Sequence, residues 1–166
     1  RTTLSKGKDF ITVQEEKSHI QSYLEIQQFR YQDILDYEID IEEELYEFVL
    51  PKLTLQPLVE NALYHGIKNK RGKGMIRIRG KKSGDDMIFK VTDDGKGMTE
   101  EELRELKENV QRVKQDNNIN SFGLTNVNQR IRHYYGSGYG LEFESRQNEG
   151  TEVTVRIKTE INQPFV

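Results

Sequence analysis

The spacing of apolar residues changes period along the chain, and each change predicts a different kind of element. Thr12–Glu15 has the Ser/Thr-x-x-Glu pattern of a helix-capping box. After it, apolar residues recur at spacings of three, four and seven up to Ile34, which predicts an amphipathic helix. Apolar and acidic residues then alternate over Tyr37–Ile41, which predicts a half-buried strand.

The middle of the chain contains one helical pattern followed by two alternating ones. The apolar spacing from Leu55 to Gly66 is helical, and Pro57 is compatible with a helix only near its start. Apolar and polar residues then alternate over Met75–Lys81 and over Ile88–Asp93, with turn-forming residues between them. These two stretches are predicted to pair as a hairpin.

The last third of the chain again alternates helices and strands. A second capping box, Thr99–Glu102, predicts a helix start, and apolar spacing predicts another helix from Leu124 to Tyr134. Two further strands are predicted at Leu141–Arg146 and Thr151–Ile161. Because the strands come mostly in antiparallel pairs between helices, the predicted fold class is α+β. We expect a two-layer α/β sandwich in which helices cover a mostly antiparallel mixed sheet.

The length of the chain limits its organisation. With 166 residues there is room for one well-cored domain and an appendage. We place the domain at residues 36–166 and an N-terminal helical segment at residues 1–35. Because the chain begins with Arg rather than Met, we expect a fragment of a longer protein.

Charge and composition exclude several classes of function. The net charge of -3 leaves no global basic face, so nucleic acid is not an expected partner. The chain has no Cys, and therefore neither a disulfide framework nor a thiolate metal site. No stretch approaches the roughly 18 apolar residues of a membrane-spanning helix. Membrane contact is expected only through segments upstream of this sequence.

The stretch VTDDGKGM ends a predicted strand with candidate chemistry. Asp93 has the same parity as Val91 and is therefore expected to face the core, while Asp94 is expected to face solvent. A buried carboxylate needs hydrogen-bond donors, which a purine amine or a backbone amide supplies. Gly95 and Gly97 allow the backbone to come close to a flat ligand. Taken alone, however, this stretch favours an ordinary strand-to-helix turn, and it lacks the EF-hand pattern of a calcium loop.

Three other positions offer matching chemistry, although each also occurs without a ligand. Asn61 and His65 lie four residues apart on one face of a predicted helix, where an amide oxygen can ligate Mg²⁺ and an imidazole can lie beside a base or phosphate. Gly123 precedes a helix whose free amides suit a polyphosphate. Thr151 opens the last strand, where its hydroxyl can reach inward.

Four stretches in this order resemble the N, G1, G2 and GT boxes of the GHKL ATP-binding superfamily. They are QPLVENALYHG, VTDDGKGM, SFGLTNVNQRI and EGTEVTV. Two further stretches resemble the LytS-like (YesM-like) subfamily of bacterial two-component sensor histidine kinases. They are FITVQEEKSHIQSYLEIQQFRY, which lies before the first box, and LPKLTLQPLVENA, which overlaps it.

The resemblance implies a Bergerat-type sandwich that binds ATP with Mg²⁺ and phosphorylates a histidine on a dimerisation helix. The partners it implies are the receiver domain of a response regulator and a second copy of the full-length protein, joined through upstream helices. It also implies a cytoplasmic domain of a cell-membrane sensor protein. The first predicted helix then either ends the dimerisation element or packs on the sandwich.

Matching the boxes residue by residue implies a nucleotide site. Asn61 would ligate Mg²⁺ beside His65, and Asp93 would accept a hydrogen bond from the adenine amine with support from Thr151. The segment from Thr99 to Asn120 would be the ATP lid. The full set of implied site residues is Asn61, His65, Asp93, Gly95, Gly97, Met98, Gly123, Leu124 and Thr151.

The chain departs from the family pattern in ways that bear on activity. Tyr64 replaces a frequent Lys, for which Lys68 or Lys70 is a candidate substitute, and Ser121 replaces the first glycine of the G2 box. The NPHFLFN-like phosphoacceptor run is absent, so the fragment is not expected to autophosphorylate alone. Pro57 occupies the position at which hydrolysing members carry a Glu base, which favours transfer to histidine over hydrolysis. A nucleotide-binding pseudokinase scaffold and a hydrolysing GHKL ATPase are the alternatives.

Overall fold

The computed structural model describes residues 9–32, 34–70, 72–112 and 122–160, without the side chains of Asn69 and Phe122. Its main elements are β1 Phe10–Thr12, α1 Val13–Arg30, β2 Leu35–Ile41, β3 Val49–Pro51, α2 Gln56–Asn61, β4 Gly74–Ser83, β5 Asp86–Asp93, α3 Glu100–Gln111, α4 Phe122–Tyr135, β6 Gly140–Arg146 and β7 Gly150–Lys158. A π-helical turn over Ala62–Gly66 and a 3-10 turn over Ile67–Asn69 continue α2.

The main sheet has five strands in the order β2-β4-β5-β7-β6. β2 runs parallel to β4, and the remaining neighbours are antiparallel. The predicted α+β sandwich with a mixed, mostly antiparallel sheet is therefore confirmed. A second, two-stranded sheet pairs β1 with β3. The sequence did not predict it, because strands of three residues are too short to show a period.

The two faces of the sheet differ as the alternation predicted. Phe89 and Val91 of β5 are buried beside Val153 and Val155 of β7, and the helices cover this inner face. The outer face carries charged pairs such as Arg77 and Glu38, whose Nε and Oε1 atoms are 3.2 Å apart. The position at the end of the inner row of β5 is therefore the one that meets the helices.

Helix α1 begins at the predicted capping box and packs on the sandwich. The amide of Thr12 donates to Glu15 Oε1 at 2.9 Å, and the amide of Glu15 donates to Thr12 Oγ at 3.1 Å. Ile20 and Leu24 are fully buried in the same core as the sheet. Helix α1 thus packs on the sandwich, and whether it also ends the dimerisation element stays a prediction.

A buried carboxylate of α1 caps the start of α2. Glu16 is only 1% exposed, and its Oε2 accepts a hydrogen bond from the Leu55 amide at 2.8 Å. Burial raises the pKa of Glu16, and the amides of Leu55 and Gln56 partly oppose this effect. Leu55 has no side chain that can cap the helix, so Glu16 satisfies amides that would otherwise be orphaned. Glu16 of α1 thus holds the start of helix α2, which carries Asn61.

Replacing Glu16 by alanine is expected to lower the free energy of unfolding by about 2 kcal/mol, because it orphans buried amides. Glu16→Gln keeps an acceptor and removes the buried charge, so its loss is expected to be smaller. Urea unfolding of both variants measures the difference, with the exposed Glu25→Ala on the same helix as the control. An equal loss in Glu25→Ala would contradict a capping role for Glu16.

Candidate functional site

An open cavity of about 280 Å³ lies between the end of α2, the loop after β5 and helix α3. It brings together most of the residues predicted from the sequence: Asn61, His65, Asp93, Gly97, Met98 and Thr151. The other lining residues are Gly66, Lys96, Glu102, Glu105, Leu106 and Asn109. Residues far apart in the chain thus form one concave site.

Asp93 forms the floor of the cavity and is 4% exposed. Its Oδ1 accepts a hydrogen bond from the Gly95 amide at 2.8 Å. Burial and then the charge of Asp94 raise the pKa of Asp93 to about 6, against the amides of Gly95 and Thr151, which lower it. At neutral pH the carboxylate is therefore mostly ionised and acts only as an acceptor.

Asp94 faces the other way, as its parity predicted. Its side chain is 51% exposed, and its Oδ2 lies 3.2 Å from Lys70 Nζ. Its Oδ1 accepts a hydrogen bond from the Met75 amide at 2.8 Å. Asp94 thus joins the end of β5 to β4 and does not line the cavity.

Gly66 and Gly95 make close backbone contacts behind the carboxylate. A Cβ on Gly66 would lie 2.5 Å from Asp93 Oδ1, and a Cβ on Gly95 would meet the Gly66 backbone. Gly95 was predicted to line the base, but it lies against Gly66 instead of in the cavity lining. Gly66 was not among the predicted site residues, although it ends the ENALYHG stretch.

Gly97 needs the conformational freedom of glycine. Its φ is +64°, and a Cβ there would collide with the carbonyl of Arg146. Gly97 lines the cavity next to Met98, and its contact with the base stays a prediction. A larger residue would push the loop after β5 away from the hairpin between β6 and β7.

Asn61 and His65 line the same cavity, but not on a regular α-helix. Helix α2 ends at Asn61, and the wider π-helical turn carries His65. With more residues per turn, the two side chains still lie on one side of the element. Partial burial, followed by the charge of Lys96, lowers the pKa of His65, which favours the neutral imidazole.

The lysine that lines the cavity is neither of the two candidates from the sequence. Lys68 Nζ lies 4.6 Å from the ring centroid of Tyr64, and Lys70 pairs with Asp94. Among the described residues, Lys96 is the lysine in the cavity lining. Its position between Gly95 and Gly97 was the available signal in the sequence.

Ser145 joins three segments at the edge of the cavity, and it was not among the predicted site residues. Its Oγ accepts a hydrogen bond from the Met98 amide at 2.9 Å and lies 2.9 Å from the Gly150 carbonyl oxygen. It also lies 2.8 Å from Thr151 Oγ. The signal was its parity with the inward Phe143 on β6, but only the pairing of β6 with β7 brings it beside Thr151.

Helix α3, within the predicted lid, forms one wall of the cavity. The predicted capping box is present, since the Thr99 amide donates to Glu102 Oε1 at 2.9 Å. Residues 113–121, including Ser121, lie outside the described residues. Gly123 is exposed at the start of α4, and Leu124 is in the core; in the described part of the chain neither lines the cavity. Their contact with phosphate stays a prediction.

The sequence profile of the histidine kinase-, DNA gyrase B- and HSP90-like ATPases matches residues 50–161. The chain belongs to this ATPase family. The matched region includes every lining residue of the cavity, and membership makes ATP the substrate of the domain. The resemblance inferred from the four boxes is thereby confirmed.

Curated relatives are similar over most of this chain and are much longer. The sensor histidine kinase YesM of Bacillus subtilis (strain 168) is 32% identical over 157 residues, which are 95% of this chain and 25% of YesM. The sensor protein LytS of Bacillus cereus is 32% identical over 153 residues, which are 92% of this chain and 26% of LytS. The chain therefore spans about a quarter of the length of these relatives.

Solved structures share the fold of this member of the ATPase family. The mycobacterial sensor histidine kinase MprB aligns with a TM-score of 0.63 and 16% identity over 92% of this chain and 98% of that chain. The catalytic domain of histidine kinase ThkA aligns with a TM-score of 0.64 and 14% identity over 90% of this chain and 95% of that chain. Within the described residues, no helix combines the length and apolar character that crossing a bilayer requires.

Proposed function

We propose that this chain is the catalytic ATP-binding part of a sensor histidine kinase. It transfers the γ-phosphoryl group of ATP to a histidine on an upstream dimerisation helix, from which a response regulator takes it. The observation that carries the proposal is the buried, ionised Asp93 on the floor of a cavity that Asn61 and His65 also line. A base-binding acceptor and polar groups suited to metal and phosphate thus share one site.

In this proposal Asp93 accepts a hydrogen bond from the adenine amine, and Thr151, its partner in the β5–β7 register, supports it. Gly97 and Met98 lie beside the base, and Gly95 holds the backbone behind it. The adenine end of the site therefore lies where the ends of β5 and β7 meet the loop after β5.

Mg²⁺ fits this site through the side-chain oxygen of Asn61, which is a ligand type that Mg²⁺ prefers. The described residues contain no cluster of three or more His, Cys, Asp or Glu that could hold a metal ion. A site with one protein ligand suits an ion that arrives with the phosphates of ATP and keeps several waters. When bound, Mg²⁺ neutralises charge on the transferred phosphoryl group.

In phosphoryl transfer the protein mainly positions the reactants and neutralises charge on the transferred group. Lys96 supplies a positive charge at the cavity, and the neutral His65 supplies a hydrogen-bonding imidazole beside it. Gly123 and Leu124, at the start of α4, complete the phosphate end of the site in this proposal. Pro57, at the position of the Glu base of hydrolysing members, favours histidine over water as the acceptor.

For the whole protein, we propose that residues 1–35 continue a dimerisation region and that residues 36–166 are the catalytic domain. The full-length protein is then a homodimer that passes phosphate to a receiver domain. Upstream segments attach it to the cell membrane, with this domain on the cytoplasmic side.

The test mixes the chain, Mg²⁺ and γ-labelled ATP with an isolated dimerisation helix that carries an NPHFLFN-like histidine. We expect acid-labile label on the helix, dependent on Mg²⁺. Asn61→Ala is expected to slow the transfer about 100-fold. Gln14→Ala, which removes an exposed amide of α1, serves as the control.

The alternatives give different results in the same experiment. ATP binding without label on the helix would indicate a nucleotide-binding scaffold, for which Tyr64 and Ser121 are the motivation. Steady phosphate release by the chain alone would indicate a hydrolysing ATPase. Transfer that is equal in Asn61→Ala and in the unmodified chain would contradict the metal role of Asn61.

A further inference from the structure

The three contacts of Ser145 are compatible with one arrangement of hydroxyl protons. The Met98 amide can only donate, and the Gly150 carbonyl can only accept. A serine hydroxyl has one proton and two lone pairs. Ser145 therefore accepts from Met98, donates to Gly150 and uses its second lone pair to accept from Thr151, 2.8 Å away.

This arrangement directs the Thr151 proton away from the cavity. Thr151 is 8% exposed and lines the cavity opposite Asp93 in the strand register. With its proton on the side of Ser145, its oxygen offers only lone pairs to a ligand. Asp93, ionised at neutral pH, also offers only lone pairs. These two side chains thus form an acceptor-only corner.

An acceptor-only corner discriminates between purines by the group at position 6. A 6-amino group brings two N–H donors to the corner, one for each side chain. A 6-oxo purine keeps N1–H as its one donor at this edge and sets its oxo lone pairs against those of the second side chain. Sites whose buried polar groups would be left unpaired reject the wrong ligand strongly. We propose that Ser145 is a positioning residue that, by fixing the Thr151 proton, makes the site select 6-amino over 6-oxo purine nucleoside triphosphates. This inference rests on the proposed function, since it assumes that the base lies at Asp93.

The test compares the dissociation constants of ATP and inosine triphosphate by calorimetry with the whole chain. The two bases differ in the group at position 6 and in the proton that the 6-oxo base carries on N1. In Ser145→Ala the Thr151 hydroxyl is free to turn and donate to a 6-oxo group. We expect the preference for ATP over inosine triphosphate to fall about tenfold. Ser145→Thr keeps the hydroxyl and is expected to restore the preference.

Two further variants separate proton direction from loss of shape. In a Thr151→Val background there is no proton to direct, so Ser145→Ala is expected to leave the preference unchanged. Ser83→Ala, at the C-terminal end of β4, removes an exposed serine hydroxyl and serves as the control. Thermal unfolding checks that each variant is folded.

Each outcome decides the matter. A lower preference in Ser145→Ala, restored by Ser145→Thr and absent in the Thr151→Val background, supports the inference. Parallel weakening of both nucleotides in Ser145→Ala, or an unmodified chain that binds ATP and inosine triphosphate equally, overturns the inference while ATP binding stands. An unmodified chain that binds neither nucleotide overturns the proposed function and this inference with it.

Discussion

Asp93→Asn is expected to weaken ATP binding about 100-fold, because an acceptor that bears charge is replaced by an amide that also brings N–H donors toward the adenine amine. Calorimetric titration with ATP and Mg²⁺ measures the change. Asp94→Asn is the matched control, since the neighbouring carboxylate is exposed and points away from the cavity. Equal losses in both variants would show that local charge, rather than contact with the base, determines affinity.

The same variant is expected to be more stable than the unmodified chain. Burial raises the pKa of Asp93 from its ordinary value of 3.8 to about 6, so the folded chain holds this proton more tightly than the unfolded chain. On account of this group, the free energy of unfolding falls as the pH rises from 3.8 to about 6. At neutral pH, ionisation of the buried Asp93 lowers the free energy of unfolding by about 3 kcal/mol.

Asp93→Asn removes the charge. The free energy of unfolding of this variant, measured with urea across the same pH range, is therefore expected to lack the part of the decline that Asp93 causes. A variant that is less stable at pH 7 than the unmodified chain would contradict the pKa assigned to Asp93. Loss of binding together with a gain in stability is the pattern expected of a carboxylate held in the core for a ligand.

Gly66→Ala is expected to abolish measurable ATP binding and to destabilise the fold by about 2 kcal/mol. The backbone of Gly66, with φ -100°, suits alanine, so the cost arises from the added methyl group alone. That methyl would lie 2.5 Å from Oδ1 and 2.9 Å from Oδ2 of Asp93, and the carboxylate cannot stay where it is. Calorimetry and urea unfolding measure the two effects.

Two comparisons isolate this contact. Gly138→Ala adds a methyl group with no heavy atom within 4 Å and is expected to change neither property. In an Asp93→Ala background the carboxylate is absent, so Gly66→Ala is expected to destabilise less than it does alone. The same cost in both backgrounds would place the strain elsewhere, for example on Gly95.

Local rules predicted the main helices, the five strands of the main sheet and the opposite directions of the two aspartates. Strand parity separated Asp93, which is buried, from Asp94, which is exposed. Both capping boxes form as their spacing predicted. Such rules succeed because they depend on neighbours within four residues, which the sequence shows directly.

Several contacts between segments far apart in the chain were not predicted from the sequence. Ser145 lies beside Thr151 because of the pairing between two strands, and Gly66 lies behind Asp93 because a helix end meets a strand end. Lys70 pairs with Asp94, whereas Lys96 lines the cavity, and this difference also arises from contacts between segments. None of these distances has a counterpart in sequence spacing.

The fold class, the four ordered boxes, the family and the inward direction of Asp93 could all be inferred from the chain alone. Periodicity and short motifs are local properties, and folding preserves them. Only packing of the whole chain shows which groups surround that carboxylate: the glycine that leaves room for it, the lysine that lines the same cavity and the serine that directs the proton of its neighbour. Burial and cross-strand register, which determine pKa and proton position, arise only when distant segments pack.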